Sequence, residues 1–183
     1  LRVLVTRCDQ HAVDADLVAN VTDGFTLNAG VSWLHHEYKA FNAFIATPIT
    51  PVFPPPVGRP NGGNAITTGQ VEGNKLQAAP DFTFNLGANY RIDLAGGDRI
   101  DLNANYYHNG GWFAEADNRL RQGAYNTLNA SIAYTMNENV TLSVWGKNLT
   151  NEFYAVFLSS ADVGDTLTPA GGRTDGVTLS AKL

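Results

Sequence analysis

The segment that comes nearest to a metal site in this sequence is His35-His36-Glu37. It lies in a stretch of alternating residues that predicts a β-strand, and neighbouring residues of a strand point to opposite faces of the sheet. Two adjacent histidines of one strand therefore cannot chelate the same ion, and a zinc site needs three or four converging ligands. The sequence predicts no metal site and no cofactor.

Nucleophilic catalysis also lacks its usual residues. The sequence has no Gly-x-Ser-x-Gly elbow and no phosphate-binding Gly-x-x-x-x-Gly-Lys run. Ser159-Ser160 has no histidine near it in the sequence, and the single cysteine, Cys8, lies in a segment without a clear pattern. We predict no catalytic residues and a protein that is not an enzyme.

A mixed set of side chains around the segment from Asn109 to Gly123 is the best candidate for binding a ligand. Aromatic rings, an acid and two guanidinium groups can hold a small molecule through stacking and polar contacts. Ordinary loop composition explains the same set about as well. The candidate ligand-binding residues are His108, Trp112, Phe113, Glu115, Arg119 and Arg121.

Apolar and polar residues alternate with a period of two along much of the chain, which predicts β-strands. These strands would position the segment that carries the candidate binding residues. The clearest case is a hairpin from Ala124 to Tyr154 that turns at Met136 to Asn139. Residues 1–11 are left as an unplaced leader, although Val3 to Thr6 would suit a short strand. The predicted strands cover residues 12–21, 25–38, 81–92, 99–108, 128–135, 140–144 and 176–183.

Short and long connections alternate between these strands. The turns at 22–24, 93–98 and 136–139 are short, whereas 39–80, 109–123 and 150–175 are long. The segment 39–80 contains all but one of the eight prolines, so we expect one large loop with little sheet there. In an up-and-down meander all long loops then lie at one end, which is typical of outer-membrane β-barrels.

The bulk composition is compatible with such a barrel. Of the 183 residues 44% are hydrophobic, yet no run approaches the roughly 18 apolar residues of a membrane-spanning helix. The 17 acidic and 12 basic residues are scattered, which argues against a nucleic-acid partner. Aromatic residues gather at the strand ends, as at two membrane interfaces. The predicted interface residues are Phe25, Trp33, Tyr38, Tyr90, Tyr106, Tyr125, Tyr134 and Tyr154.

The hairpin from Ala124 to Tyr154 gives this prediction an orientation, with the turn on the periplasmic side. The residues expected to face lipid are Leu128, Ile132, Leu142 and Val144, and those expected to face the lumen are Asn129 and Ser143.

Two alternatives stay open. A soluble β-sandwich that serves as a binding module or adhesin would also alternate, and an outer-membrane β-barrel enzyme would need a serine and a histidine brought together.

Several segments resemble the C-terminal end of TonB-dependent outer-membrane receptors. The most similar runs are Trp145-Gly-Lys-Asn-Leu-Thr-Asn151 and Gly171-Gly-Arg-Thr-Asp-Gly-Val-Thr-Leu-Ser-Ala-Lys-Leu183, and earlier hairpins resemble the same barrel. The resemblance covers residues 12–183. One departure is the last residue, Leu183, where members of the family usually carry an aromatic residue.

The resemblance implies an all-β fold, an antiparallel up-and-down meander of about seven strands that forms the C-terminal portion of a large transmembrane β-barrel. Such a barrel has about 22 strands and a plugged lumen, and the plug domain would precede this sequence. The implied function is energised uptake of a scarce ligand such as an iron–siderophore complex, cobalamin or a saccharide. The implied partners are this ligand, outer-membrane lipid, an energy-coupling inner-membrane complex reached through the missing N-terminal part, and the barrel-assembly machinery.

Overall fold

One antiparallel sheet organises the chain, and its seven strands follow one another across the sheet in the order in which they occur along the chain. The computed structural model describes residues 7–182, and this part contains β-strands and no α-helix. The predicted all-β meander of about seven strands is therefore confirmed. The strands of the sheet are β1 (Arg7–Thr22), β2 (Phe25–Ala40), β5 (Phe82–Asp93), β6 (Arg99–Asn109), β9 (Tyr125–Met136), β10 (Val140–Lys147) and β13 (Thr174–Ala181).

The first strand is longer than the sequence suggests. It begins at Arg7, and residues 7–11, which the prediction leaves in the leader, pair with the C-terminal end of β2. Most of these residues are polar, Gln10 and His11 among them, so apolar and polar positions do not alternate there and the sequence does not indicate a strand. The predicted strand at Val3 to Thr6 lies outside the described residues, and so does Leu183.

Each long connection carries a small ribbon of its own. The prediction of little sheet in the proline-rich segment is wrong in part, because β3 (Asn42–Pro48) and β4 (Asn64–Gln70) pair there. Five prolines lie between the two strands, where they remove no ladder donor, and Pro48 is the last residue of β3. The other two ribbons are β7 (Trp112–Phe113) with β8 (Arg121–Gln122), and β11 (Ala155–Ala161) with β12 (Gly164–Pro169).

The two faces of the sheet differ in polarity. Pairing places Ile132 opposite Val144 and Leu102 on one face, and Asn129 opposite Asn105 on the other. Large apolar side chains of the first face are exposed, for example Val144 at 49%. The predicted facing of the central hairpin agrees with this register. A shallow groove on the polar face is lined by residues that include Asn28, Asn89, Asn103, Asn105 and Asn129.

The apolar face distinguishes a membrane barrel from a soluble sandwich. A β-sandwich packs the inner faces of two sheets together and buries them. Within residues 7–182 the seven-stranded sheet has no second large sheet against it, and the buried hydrophobic residues other than Tyr38 lie in the connections. The described part of the chain contains no helix with the length and hydropathy needed to cross a bilayer.

The predicted interface aromatics divide between the two sides of the sheet. Phe25, Trp33, Tyr90, Tyr106 and Tyr134 lie on the apolar face, and Phe25 and Tyr90 pack edge to face with centroids 5.7 Å apart. The prediction differs from the structure for the other three residues. Tyr38 is buried among the connections at 8% exposure, and Tyr125 lies on the polar face, stacked on Tyr154. Tyr38 is five positions from Trp33, and an odd spacing reverses the face.

Candidate ligand-binding cleft

Three connections meet at the end of the sheet opposite the short turns. They are loop 1 (residues 41–81), loop 2 (residues 110–124) and loop 3 (residues 148–173). Each loop is anchored at both ends in neighbouring strand pairs of one meander, so the three loops are brought side by side. The residues singled out from the sequence lie mostly in loop 2, the shortest of the three.

Loop 2 is fastened to loop 1 by backbone and side-chain hydrogen bonds. The backbone N–H of Lys75 donates to Asn118 Oδ1 at 2.7 Å, and Asn118 Nδ2 donates to the carbonyl of Lys75 at 2.8 Å. Asn118 adopts a left-handed backbone conformation with φ of 56°, which asparagine tolerates better than most residues. A further bond runs from Asn74 Nδ2 to the carbonyl of Ala116 at 2.9 Å.

Loop 2 is fastened to loop 3 by charged groups. The guanidinium of Arg119 donates from Nη1 to Asp165 Oδ2 at 2.8 Å and from Nη2 to Asp165 Oδ1 at 2.6 Å. The carboxylate of Glu115 accepts a hydrogen bond from the backbone N–H of Ser160 at 2.7 Å and another from its hydroxyl. Bidentate pairs of this kind are stronger and more directional than single contacts.

Asn64 completes the connection by joining loop 1 to loop 3. Its Nδ2 donates to the carbonyl of Ala161 at 2.7 Å and to Asp165 Oδ1 at 2.9 Å. The hydrogen bonds from Arg119, with a smaller one from Asn64, lower the pKa of Asp165 to about 2. The same contact with Asp165 raises the pKa of Arg119. Both groups therefore stay charged throughout the physiological range.

His36 of β2 joins loop 1 to the sheet. It is fully buried, and its Nδ1 accepts a hydrogen bond from the backbone N–H of Leu76 at 2.9 Å. Because Nδ1 is an acceptor, the ring hydrogen lies on Nε2, which is 3.1 Å from Asp81 Oδ1. His35 is exposed on the opposite face. Within residues 7–182 no group of three His, Cys, Asp or Glu side chains is arranged to hold a metal ion.

An aromatic cleft of about 510 Å³ lies where loops 2 and 3 meet the polar face of the sheet. The rings of Tyr125 and Tyr154 stack beside it with centroids 4.0 Å apart and planes 5° apart. None of its lining side chains is charged. We call this site the aromatic cleft, and it is lined by Gln77, Ala78, Trp112, Ala114, Tyr125, Tyr154, Ala155, Val156, Phe157 and Leu158.

A second cleft of about 430 Å³ lies between the three loops and shares Gln77 with the aromatic cleft. Phe44 and Ile66 of the first ribbon line one part of it, and Glu115 with Ser160 line another. The polar groups of that second part already bond to each other. The second cleft therefore offers fewer free groups to a ligand than its size suggests.

The structure separates the six ligand-binding candidates. Trp112 lines the aromatic cleft. The guanidinium of Arg121 lies over the ring of Phe113 at 5.5 Å, and Glu115 and Arg119 join loops to each other as described. His108 lies on the apolar face, where its Nδ1 is 2.7 Å from Asn126 Oδ1 and its ring packs against Phe82.

Of the ten residues that line the cleft, the sequence interpretation names only Trp112 as a ligand-binding candidate, and the polar or aromatic ones that it misses include Tyr125, Tyr154 and Gln77. The sequence interpretation places Tyr125 and Tyr154 at the membrane interface, although Tyr125 is separated from Leu128 by an odd number of positions and so must face the other way. That spacing was a usable signal. Gln77 lies in an irregular part of loop 1, where no periodic pattern indicates its neighbours.

Comparison with known proteins places this architecture in a family. A family model described as "TonB dependent receptor-like, beta-barrel" matches residues 13–149. No curated protein matches the sequence.

Solved structures that share the fold include two receptors. The ferric yersiniabactin uptake receptor FyuA from Yersinia pestis is 18% identical with a TM-score of 0.74, and the alignment covers 96% of this chain and 24% of the receptor. The siderophore receptor PiuA from Acinetobacter baumannii is 18% identical with a TM-score of 0.72, with 97% and 22% covered. The chain thus spans about a quarter of the length of these receptors.

Proposed function

Because the chain belongs to the TonB-dependent receptor-like β-barrel family, we propose that it forms the C-terminal wall and outer loops of a receptor that imports a small ligand. It is part of an outer-membrane β-barrel. The observation that carries the proposal is the family match over residues 13–149. The seven-stranded sheet, with its exposed apolar face and its three loops at one end, supports it. The loops would capture the ligand, and the short turns would face the periplasm.

We further propose that the ligand is a ferric chelate. Two of the solved structures that share the fold are described as a ferric yersiniabactin uptake receptor and a siderophore receptor. The remaining partners we propose are outer-membrane lipid at the apolar face, the barrel-assembly machinery, and an energy-coupling complex that acts through a part of the receptor outside this sequence.

Iron uptake by the complete receptor tests this proposal. Cells that lack their own ferric-chelate receptors would express the full receptor that contains this chain and receive a panel of iron-55 chelates. We expect accumulation of at least one chelate, and its loss when the proton gradient is collapsed. Uptake of cobalamin or a saccharide with no chelate imported would contradict the ferric ligand, and absence of any energised uptake would contradict the transport function.

We propose no enzymatic activity for the chain. Ser159 and Ser160, the serines that could have served as nucleophiles, bond to the carboxylate of Glu115 rather than to an imidazole. A serine-reactive phosphonate probe should leave the full receptor unlabelled. Labelling at Ser160 would support the enzyme alternative instead.

A further inference from the structure

We infer that the aromatic cleft binds a planar aryl ring carried by the ligand, as in a chelate with phenol or catechol groups. This inference rests on the proposed function, because it specifies which class of chelate the receptor accepts. It depends on three properties of the cleft, which are the fixed position of its rings, the placement of the charged groups outside it, and the small number of polar side chains in its lining.

The rings of the cleft are held in place before any ligand arrives. Tyr125 is packed on one side by Tyr154, with parallel planes, and on another by Tyr107, with centroids 6.3 Å apart and planes at 60°. The peptide group that follows Tyr154 is anchored at both of its polar atoms, because the Tyr154 carbonyl accepts a hydrogen bond from Ala170 N at 2.8 Å and Ala155 N donates to Gln122 Oε1 at 2.6 Å. A ring that enters the cleft meets an ordered aromatic surface, which reduces the entropy lost on binding.

The charged groups of loop 2 lie outside the cleft. Arg119 is engaged by Asp165, and Glu115 by Ser160. In the short ribbon of loop 2, Trp112 is paired with Gln122 and Phe113 with Arg121, so Arg121 belongs to the face opposite Trp112. A citrate-type chelate could place only carboxylate and hydroxyl groups in the cleft, and its carboxylates would meet no cation among the lining residues, whereas an aryl chelate can enter by the uncharged edge of its ring.

The side chains of the cleft offer a saccharide few hydrogen-bonding groups. A sugar ring presents several hydroxyl groups, and each one needs a hydrogen-bond partner when it is removed from water. Among the lining side chains only Gln77, the tyrosine hydroxyls and the indole N–H of Trp112 can provide one. An aryl ring makes a smaller demand, since its two faces need only stacking partners.

Binding to the purified full receptor in detergent tests the inference, with three probes measured by calorimetry. The probes are the iron(III) complex of 2,3-dihydroxybenzoylserine, ferric citrate and maltohexaose. We expect the aryl chelate to bind at least about tenfold more tightly than the other two. Equal or tighter binding of ferric citrate or maltohexaose would overturn the inference.

Variants locate the site. Trp112→Ala and Tyr154→Ala should each weaken the aryl chelate by up to about tenfold, the effect of losing one aromatic contact, whereas Tyr154→Phe should bind as the parent does because it keeps the ring. Phe53→Ala is the matched control, because Phe53 is 96% exposed in loop 1 and lies outside the cleft. Circular dichroism would show that the alanine variants keep the barrel fold. Unchanged affinity in both folded alanine variants, or an equal loss in the Phe53 variant, would contradict the assignment.

The results separate this inference from the function on which it rests. A receptor that imports ferric citrate and ignores the aryl chelate keeps the proposed function and loses the aryl assignment. A receptor whose Trp112-dependent aryl binding is intact but which imports no iron keeps the assignment and loses the function.

Discussion

Arg119 and Asp165 are 46 positions apart in the sequence and form a two-pronged ion pair with N–O distances of 2.8 and 2.6 Å. The pair joins loop 2 to loop 3, and Asn64 brings loop 1 to the same carboxylate. Residues that looked suited to binding a ligand thus hold the loops together around a cleft whose own lining is uncharged.

The contact between loops 2 and 3 should be lost only in strong acid. The pKa of Asp165 is lowered to about 2, below the ordinary aspartate value of about 3.9. A lowered carboxylate pKa stabilises the folded loops fully above the unfolded value, and this contribution disappears as the pH falls through about 2. Hydrogen exchange of residues 161–166 in the full receptor should therefore show constant protection from pH 7 to about 5 and a loss below about 4.

The variant Asp165→Asn should remove that pH dependence and exchange faster at neutral pH. Asp162→Asn is its matched control, because Asp162 lies in the same turn and its side chain accepts a hydrogen bond only from the next residue, at 2.8 Å from Val163 N. Equal pH profiles for the parent and the Asp165 variant would show that the ion pair does not hold the loops.

His36 should be needed for order in loop 1, whereas its neighbour should not. His36→Ala removes a fully buried ring and leaves the N–H of Leu76 without its acceptor, which should cost about 2 kcal/mol or more. Limited proteolysis of the full receptor should then cut within residues 72–81. His35→Ala removes an exposed ring on the opposite face and should leave the loop resistant. Similar cutting in both variants would contradict the role of His36.

Adjacent substitutions in β10 should distinguish the two faces of the sheet. Val144→Arg puts a charge on the apolar face, where the cost is about 2–4 kcal/mol near the bilayer midplane. Ser143→Arg puts the same charge on the polar face, opposite Thr178 and Ala133, and should cost less. Urea titration of the receptor folded into lipid vesicles measures the difference. A larger loss for the Ser143 variant would reverse the assigned orientation.

Gly176 should not tolerate a side chain. A Cβ at this position would lie 2.5 Å from Cζ2 and 2.9 Å from Cε2 of the Trp145 indole, which also donates from Nε1 to Thr178 Oγ1 at 3.1 Å. Gly176→Val should therefore lower the stability of the receptor by about 1–3 kcal/mol, the usual cost of overpacking. Gly123→Ala is the control, since a Cβ there meets nothing within 4 Å. Melting temperatures of the two variants provide the comparison.

The faces and order of the strands could be predicted from the sequence. In a sheet between lipid and a polar lumen, successive side chains alternate between apolar and polar, and this period is easy to recognise. The positions of Ile132 and Ser143 follow directly from that period. The same rule, applied with more care to odd spacings, would also have placed Tyr125 on the polar face.

The contacts between the loops could not be predicted in this way. Asn118 and Lys75 are 43 positions apart, and Glu115 and Ser160 are 45 apart. Polar residues in irregular segments have no period, so nothing in their spacing indicates which of many partners each one meets. The ribbon of β3 and β4 was obscured for a related reason, because the prolines around it suggested irregular structure throughout.

The position of loop 2 between its two neighbours limits how such receptors can be recombined. If loop 3 alone were moved into another barrel, Asp165 would lose Arg119 and Ser160 would lose Glu115. If loop 1 alone were moved, Lys75 would lose Asn118. Chimeric receptors that exchange specificity should therefore succeed when residues 41–173 move as one cassette, strands included, and fail when single loops are exchanged.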